Sequence, residues 1–93
     1  MKLELHAFAE ALFEVETKTR VGVRGQLRRV AELLGCSRQL ATAFARKNAR
    51  EIGVVLGKRV EYRAADYDAS GRPIFSSQLG RKGHYSAAHL WVE

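Results

Sequence analysis

QLRRVAELLGCSRQLATAFAR, residues 26–46, is the stretch on which the fold turns. Leu27, Val30, Ala31 and Leu34 recur at the spacing of one helix face until Gly35 interrupts them. Ser37 is a good helix N-cap, and Arg38, Gln39, Leu40, Ala41, Thr42, Ala43, Phe44, Ala45 and Arg46 read as a second helix reaching about Glu51. Only about three residues separate the two. So short a link, pivoting on a glycine free to take the left-handed conformation, predicts a sharp angle between the helices rather than an antiparallel pair.

Upstream, Leu5, Phe8, Leu12 and Val15 share a helical face while Glu4, His6, Glu10 and Glu14 populate the others, so residues 1–16 read as an acidic amphipathic helix. Residues 17–25, with Thr, Gly and alternating Val21 and Val23, read as a connector or short strand. Downstream, Val54, Val55, Val60, Tyr62, Ile74 and Phe75 mark strand-like segments. Val60, Tyr62 and Ala64 share one face of a strand, and Arg59, Glu61 and Arg63 the other. Asp68, Ala69, Ser70 and Gly71 form a turn, from which Arg72, Pro73, Ile74, Phe75 and Ser76 return as a partner strand, giving a β-hairpin over residues 54–77. Pro73 has no N–H to donate, which marks the return strand as an edge.

Residues 78–93 begin as a basic loop around Gly80, Arg81, Lys82 and Gly83 and end in an apolar tail. Tyr85, Ala87, His89 and Trp91 alternate as in a strand, whereas Ser86 as a cap starts a short helix; both remain open. Leu90, Trp91 and Val92 fit docking on the core or on a second subunit. The expected fold is a single α+β domain over residues 1–93, about three helices followed by a C-terminal hairpin.

The 93 residues carry a net charge of +6, but unevenly. Residues 1–16 have one lysine against four glutamates; residues 17–60 have eleven Lys and Arg against two acids, a net of +9; residues 61–93 balance at four of each. The excess is concentrated in the middle and is mostly arginine, whose planar fork suits phosphates and base edges. No apolar run approaches the roughly 18 residues of a membrane span, and the early glutamates do not fit a signal peptide. A single cysteine, Cys36, forms no internal bridge, in keeping with a reducing compartment, so a cytoplasmic protein is expected.

Residues 26–46 resemble the helix-turn-helix of DNA-binding regulators. Ala31 lies four residues before Gly35, where that family keeps a small side chain at the helix crossing; Val30 and Leu34 precede the turn, Cys36 follows it, and Ala41 and Phe44 supply the apolar face of the second helix. Ala41 is smaller than the Val or Ile usual there. The resemblance implies a recognition helix in the major groove, with Arg38, Gln39 and Thr42 at base edges. It implies phosphate contacts from Arg46, Lys47 and Arg50, and from Arg24, Arg28 and Arg29 around the first helix. A hairpin directly after the recognition helix is the arrangement of winged proteins of this kind, with Arg72 near the tip reaching phosphate or minor groove; the alternative is a hairpin that only covers the core. Double-stranded DNA as partner, a homodimer joined through the acidic helix or the tail, and a regulator, most simply a repressor, follow from it.

Other classes have weaker support. A protein-binding inhibitor or adaptor, of the kind found in phages and plasmids, reusing a DNA-binding scaffold is the alternative; it predicts an exposed apolar patch and idle or buried Arg38, Gln39 and Thr42. RNA binding needs exposed sheet aromatics, for which Tyr62, Tyr67 and Phe75 are the candidates, although they read as core. Asp66 with Asp68, or His84 with His89, lack a third metal ligand. Cys36 occupies a packing position with no histidine nearby in sequence, and no glycine pattern matches a nucleotide loop. Neither enzymatic activity nor a cofactor is expected.

Overall fold

The structure, a computed structural model, describes residues 2–18, 25–64, 66–67, 70, 73–74 and 88–93. Three helices come first: α1 (Leu5–Lys18), α2 (Gln26–Leu34) and α3 (Arg38–Leu56). The Glu4 carboxylate accepts from the backbone N–H of His6 at 3.0 Å and of Ala7 at 2.8 Å, capping donors that α1 has no internal partner for. Those bonds hold the Glu4 carboxyl below its ordinary range. Phe8, Ala9, Ala11, Leu12 and Val15 are the face that α1 buries.

The expected turn is built as the residues suggest. Gly35 sits at φ 68°, ψ 35°, Cys36 donates to the Ala31 carbonyl at 3.0 Å and Gly35 to that of Glu32 at 3.3 Å. This is the reciprocal closure of a Schellman motif, which satisfies carbonyls that a helix end otherwise leaves bare. Ser37 is extended, and its Oγ accepts from the Leu40 N–H at 3.1 Å. One helix therefore ends and the next begins within three residues, 35–37.

The far end of α3 corrects the sequence reading. Val54 and Val55 do not open a strand; α3 continues to Leu56 and is closed by Gly57 at φ 67°, ψ 31°. Gly53, beyond the expected helix end near Glu51, is a buried helical residue. A Cβ there would stand 2.6 Å from the Lys58 carbonyl oxygen and 3.3 Å from the Val60 nitrogen. The bare Cα lets the chain double back against the helix it has just left. Within α3, Asn48 departs from helical geometry at φ −119°, ψ 19° and its Nδ2 donates to the Phe44 carbonyl at 3.0 Å, a local bond that competes with the helix ladder and bends it.

Four strands follow: β1 (Val60–Ala64), β2 (Asp66–Tyr67), β3 (Pro73–Ile74) and β4 (Ala88–Val92). The chain does reverse between β2 and β3, pairing Tyr67 with Pro73 and Asp66 with Ile74. The partner of β1, however, is not the 72–76 segment but β4, antiparallel, with Val60 opposite Val92, Tyr62 opposite Leu90 and Ala64 opposite Ala88. That register lays apolar positions of both strands on one face, whereas a strand opening on Pro73 lacks a donor. Of the two readings of the tail, the strand is the one adopted. Its inward residue is Leu90, fully buried, while Trp91 faces out at 44% exposure instead of docking on the core.

One core joins these parts: Phe8, Leu12 and Val15 from α1, Leu27, Val30 and Ala31 from α2, Ala41, Ala45 and Ile52 from α3, and Val60 and Leu90 from the sheet. Phe8 stacks on Phe44, ring centres 4.9 Å apart. Gln26 is the polar exception, 1% exposed. Its amide treats Leu90 as a strand would, Nε2 donating to the Leu90 carbonyl and Oε1 accepting from the Leu90 N–H, both at 2.8 Å. Nε2 also donates to Glu16, so one side chain ties α1, α2 and β4. Three helices followed by a two-stranded antiparallel sheet make an α+β fold with a winged-helix-like layout.

Candidate nucleic-acid interface

Ser37 both caps α3 and sets which side chains stand at its start. Arg38 and Gln39 occupy the first two helical positions and are exposed. Ala41 and Ala45, one turn apart, are fully buried against the core, so the opposite side of the same turns carries Gln39, Ala43 and Arg46 outward, with Lys47 beside them. Thr42 lies on the flank, half-buried. Residues 38–47 thus form a polar, cationic face starting at a helix N-terminus, where backbone N–H groups and the dipole favour negative charge. Arg50 falls beyond the Asn48 bend, lining a groove with Gly53, Val54, Lys58 and Arg59.

On α2, Arg28 is exposed, but Arg29 reaches its own helix, its guanidinium 2.9 Å from the Glu32 carboxylate. That pair is open to water and so contributes about 0–1 kcal/mol; a phosphate competes for Arg29 at little cost. Of the expected residues, Arg38, Gln39, Thr42, Arg46 and Lys47 come together on one helix, with Arg28 and Arg29 on the helix before the turn. Arg24 and Arg72 lie outside the described residues. The acidic Glu10, Glu14 and Glu16 stand on α1, not on the two helices that carry these residues.

The sheet carries a second polar surface that the sequence reading missed. Arg59 reaches Glu61 at 2.6 Å, Arg63 Nε donates to the same carboxylate at 2.8 Å, and the Arg63 guanidinium lies over the Trp91 ring, 5.1 Å from its centre. Hydrogen bonds from Arg63 first, then Arg59, hold the Glu61 carboxyl below its ordinary range. The ring of His89 meets Trp91 edge-on at 5.5 Å. Its Nδ1 is buried with no partner among the described residues, and burial pushes the imidazole pKa down. Alternation in the tail was the available signal, but only pairing with β1 brings Trp91 to Arg63.

For RNA, Trp91 is a sheet aromatic that is exposed; Tyr62 packs half-buried against the core, and the Tyr67 side chain and Phe75 lie outside what is described. Asp68 and His84 also lie outside them, and among the described residues no three His, Cys, Asp or Glu gather as a metal site. Cys36 packs half-buried against the core. No helix among the described residues is long and apolar enough to cross a membrane. Compared with protein families, with curated proteins and with solved structures, the chain has no match.

Proposed function

We propose that this protein binds double-stranded DNA in a sequence-dependent way, as a homodimer, and acts as a small transcriptional regulator, most simply a repressor. The observation that carries the reading is the Ser37-capped start of α3: a three-residue turn after α2 presents exposed Arg38 at the helix end, and Gln39, Arg46 and Lys47 follow on the side turned away from buried Ala41 and Ala45. Inserted in a major groove, Arg38 pairs with guanine O6 and N7, Gln39 with adenine N6 and N7, and Thr42 with a base edge or thymine methyl. Arg28, Arg29, Arg46 and Lys47 neutralise the flanking phosphates.

A protein inhibitor that reused such a scaffold would bury Arg38 and Gln39 or leave them idle, and both are exposed. Apolar Phe13, Leu33, Val54 and Trp91 are nonetheless exposed, which supports a separate surface for a protein partner.

Selection from a random duplex pool at about 150 mM salt tests the reading, with enrichment of a two-fold symmetric site expected. Arg38→Ala is expected to lose about 1–3 kcal/mol on the selected site and to relax preference at one base pair. Absence of enrichment, with affinity flat in salt instead of falling by a log–log slope of about −0.9 per phosphate, would overturn it.

A further inference from the structure

Two exposed surfaces that take no part in the proposed DNA contact complement each other. The first is the outer face of α1, where Phe13 is 49% exposed and has exposed Glu10 and Thr17 as helical neighbours, with exposed Glu14 one turn after Glu10. The second is a shallow groove of about 430 Å³ where α3 ends against β1, formed by Arg50, Gly53, Val54, Gly57, Lys58 and Arg59. Gly57, where a Cβ would meet nothing within 4 Å, leaves its part of the lining open, and Val54 is 77% exposed. Its rim is cationic. Arg59 already reaches Glu61, while Arg50 and Lys58 have no acidic partner among the described residues.

We propose that the chain pairs with a second copy of itself by seating Phe13 of each copy in the other's groove, with Glu10 and Glu14 against Arg50 and Lys58. A free anion satisfies the rim but leaves Val54 in water, and an uncharged apolar segment covers Val54 but leaves the cations unmatched. An aromatic ring flanked by carboxylates meets both, and this chain carries one. Exchange of the same two patches across a two-fold axis closes the assembly at a dimer. Charge depletion at the centre and an aromatic anchor suit such an interface, and its small size makes it weak in isolation. The inference deepens the homodimer of the proposed function and assigns it a surface.

Sedimentation equilibrium of the full chain without DNA tests it. Dimer is expected to dominate at about 1 mM chain and to dissociate on dilution. E10K/E14K, which sets cations against the groove, and R50E/K58E, which sets carboxylates against α1, are each expected to be monomeric, and Phe13→Ser to weaken dimerisation at least tenfold. An equimolar mixture of the two charge-reversed chains is expected to recover the dimer, because charges of opposite sign again face each other across both of its contacts, one as in the wild type and one reversed, while the aromatic seat is kept in both. Circular dichroism of each variant, all altered at exposed positions, checks the fold. A wild-type monomer at about 1 mM, dimers that survive both reversals, or a mixture that stays monomeric would overturn the inference. Dimerisation in this assay together with no DNA enrichment would instead leave it standing and remove the DNA reading.

Discussion

Gly35 and Gly57 end α2 and α3 in almost the same backbone conformation, φ 68° and ψ 35° against φ 67° and ψ 31°. Both turns close with the same pair of backbone hydrogen bonds, to Ala31 and Glu32 in one case and to Gly53 and Val54 in the other. The two continuations differ completely. After Gly35 a serine caps a new helix; after Gly57 the chain becomes strand β1 and packs back on the helix it came from. A left-handed glycine therefore specifies that a helix stops, and the residues beyond it specify the continuation. The first turn is supported by neighbours in sequence, the second by contacts with Gly53 and with a strand near the C-terminus.

Gly53→Ala is expected to disturb this parallel most. The new methyl collides with the Lys58 carbonyl oxygen, a backbone atom with no rotamer to escape into, and a loss of about 3 kcal/mol in urea unfolding is expected. A loss under about 0.5 kcal/mol would show that the β1 turn swings away freely. Next is Gln26→Leu. It keeps the residue's bulk but strands the N–H and carbonyl of buried Leu90, which predicts about 2 kcal/mol lost, with β4 exchanging amide hydrogens far faster while the Gly35 turn keeps its protection.

Gly35→Ala and Gly57→Ala probe the likeness of the two turns directly. A Cβ built on either glycine meets nothing within 4 Å, so each is expected to lose only the left-handed penalty of about 1 kcal/mol, and by similar amounts. Clearly unequal losses would mean that one turn carries strain beyond its dihedrals.

The smallest effect belongs to His89 on β4. Burial lowers its folded pKa below the ordinary value near 6.5, so neutral imidazole is the form the fold accepts. Its contribution is present above that value and is lost as pH falls towards the folded pKa. The urea midpoint is therefore expected to drop between pH 7 and 5, and His89→Gln to flatten the decline; an unchanged slope would place the effect elsewhere.

Much of the helical half was legible from residues 26–46 because its determinants are local. A 3.6-residue stripe, a glycine and a capping serine all act within a few residues of one another. The exposure of Gln39 was legible for the same reason, since it follows from the stripe buried opposite, and that of Arg38 from its place at the helix start directly after the cap. The helix end at Leu56 was missed because Gly53 carries two meanings in sequence, a stop or a close approach, and only the returning chain selects between them. The partner of β1 was missed because period-two alternation states which face is apolar without naming which strand supplies the other edge. Asn48 did carry a signal, a residue that competes with the helix ladder, but whether it bends a helix depends on how the two segments pack.

Residue order alone suffices for the presence of three helices, though not for the end of the third, and for the turn at Gly35, the cap at Ser37 and the concentration of cations around them, since short-range periodicity and charge are written residue by residue. The packed chain was needed to establish that β4 pairs with β1, that Gln26 fastens it there, and that Arg50, Val54 and Lys58 gather at one groove. Those contacts join residues up to 64 positions apart, and at that separation pairing is settled by which apolar faces and unpaired backbone groups the whole core leaves to be satisfied.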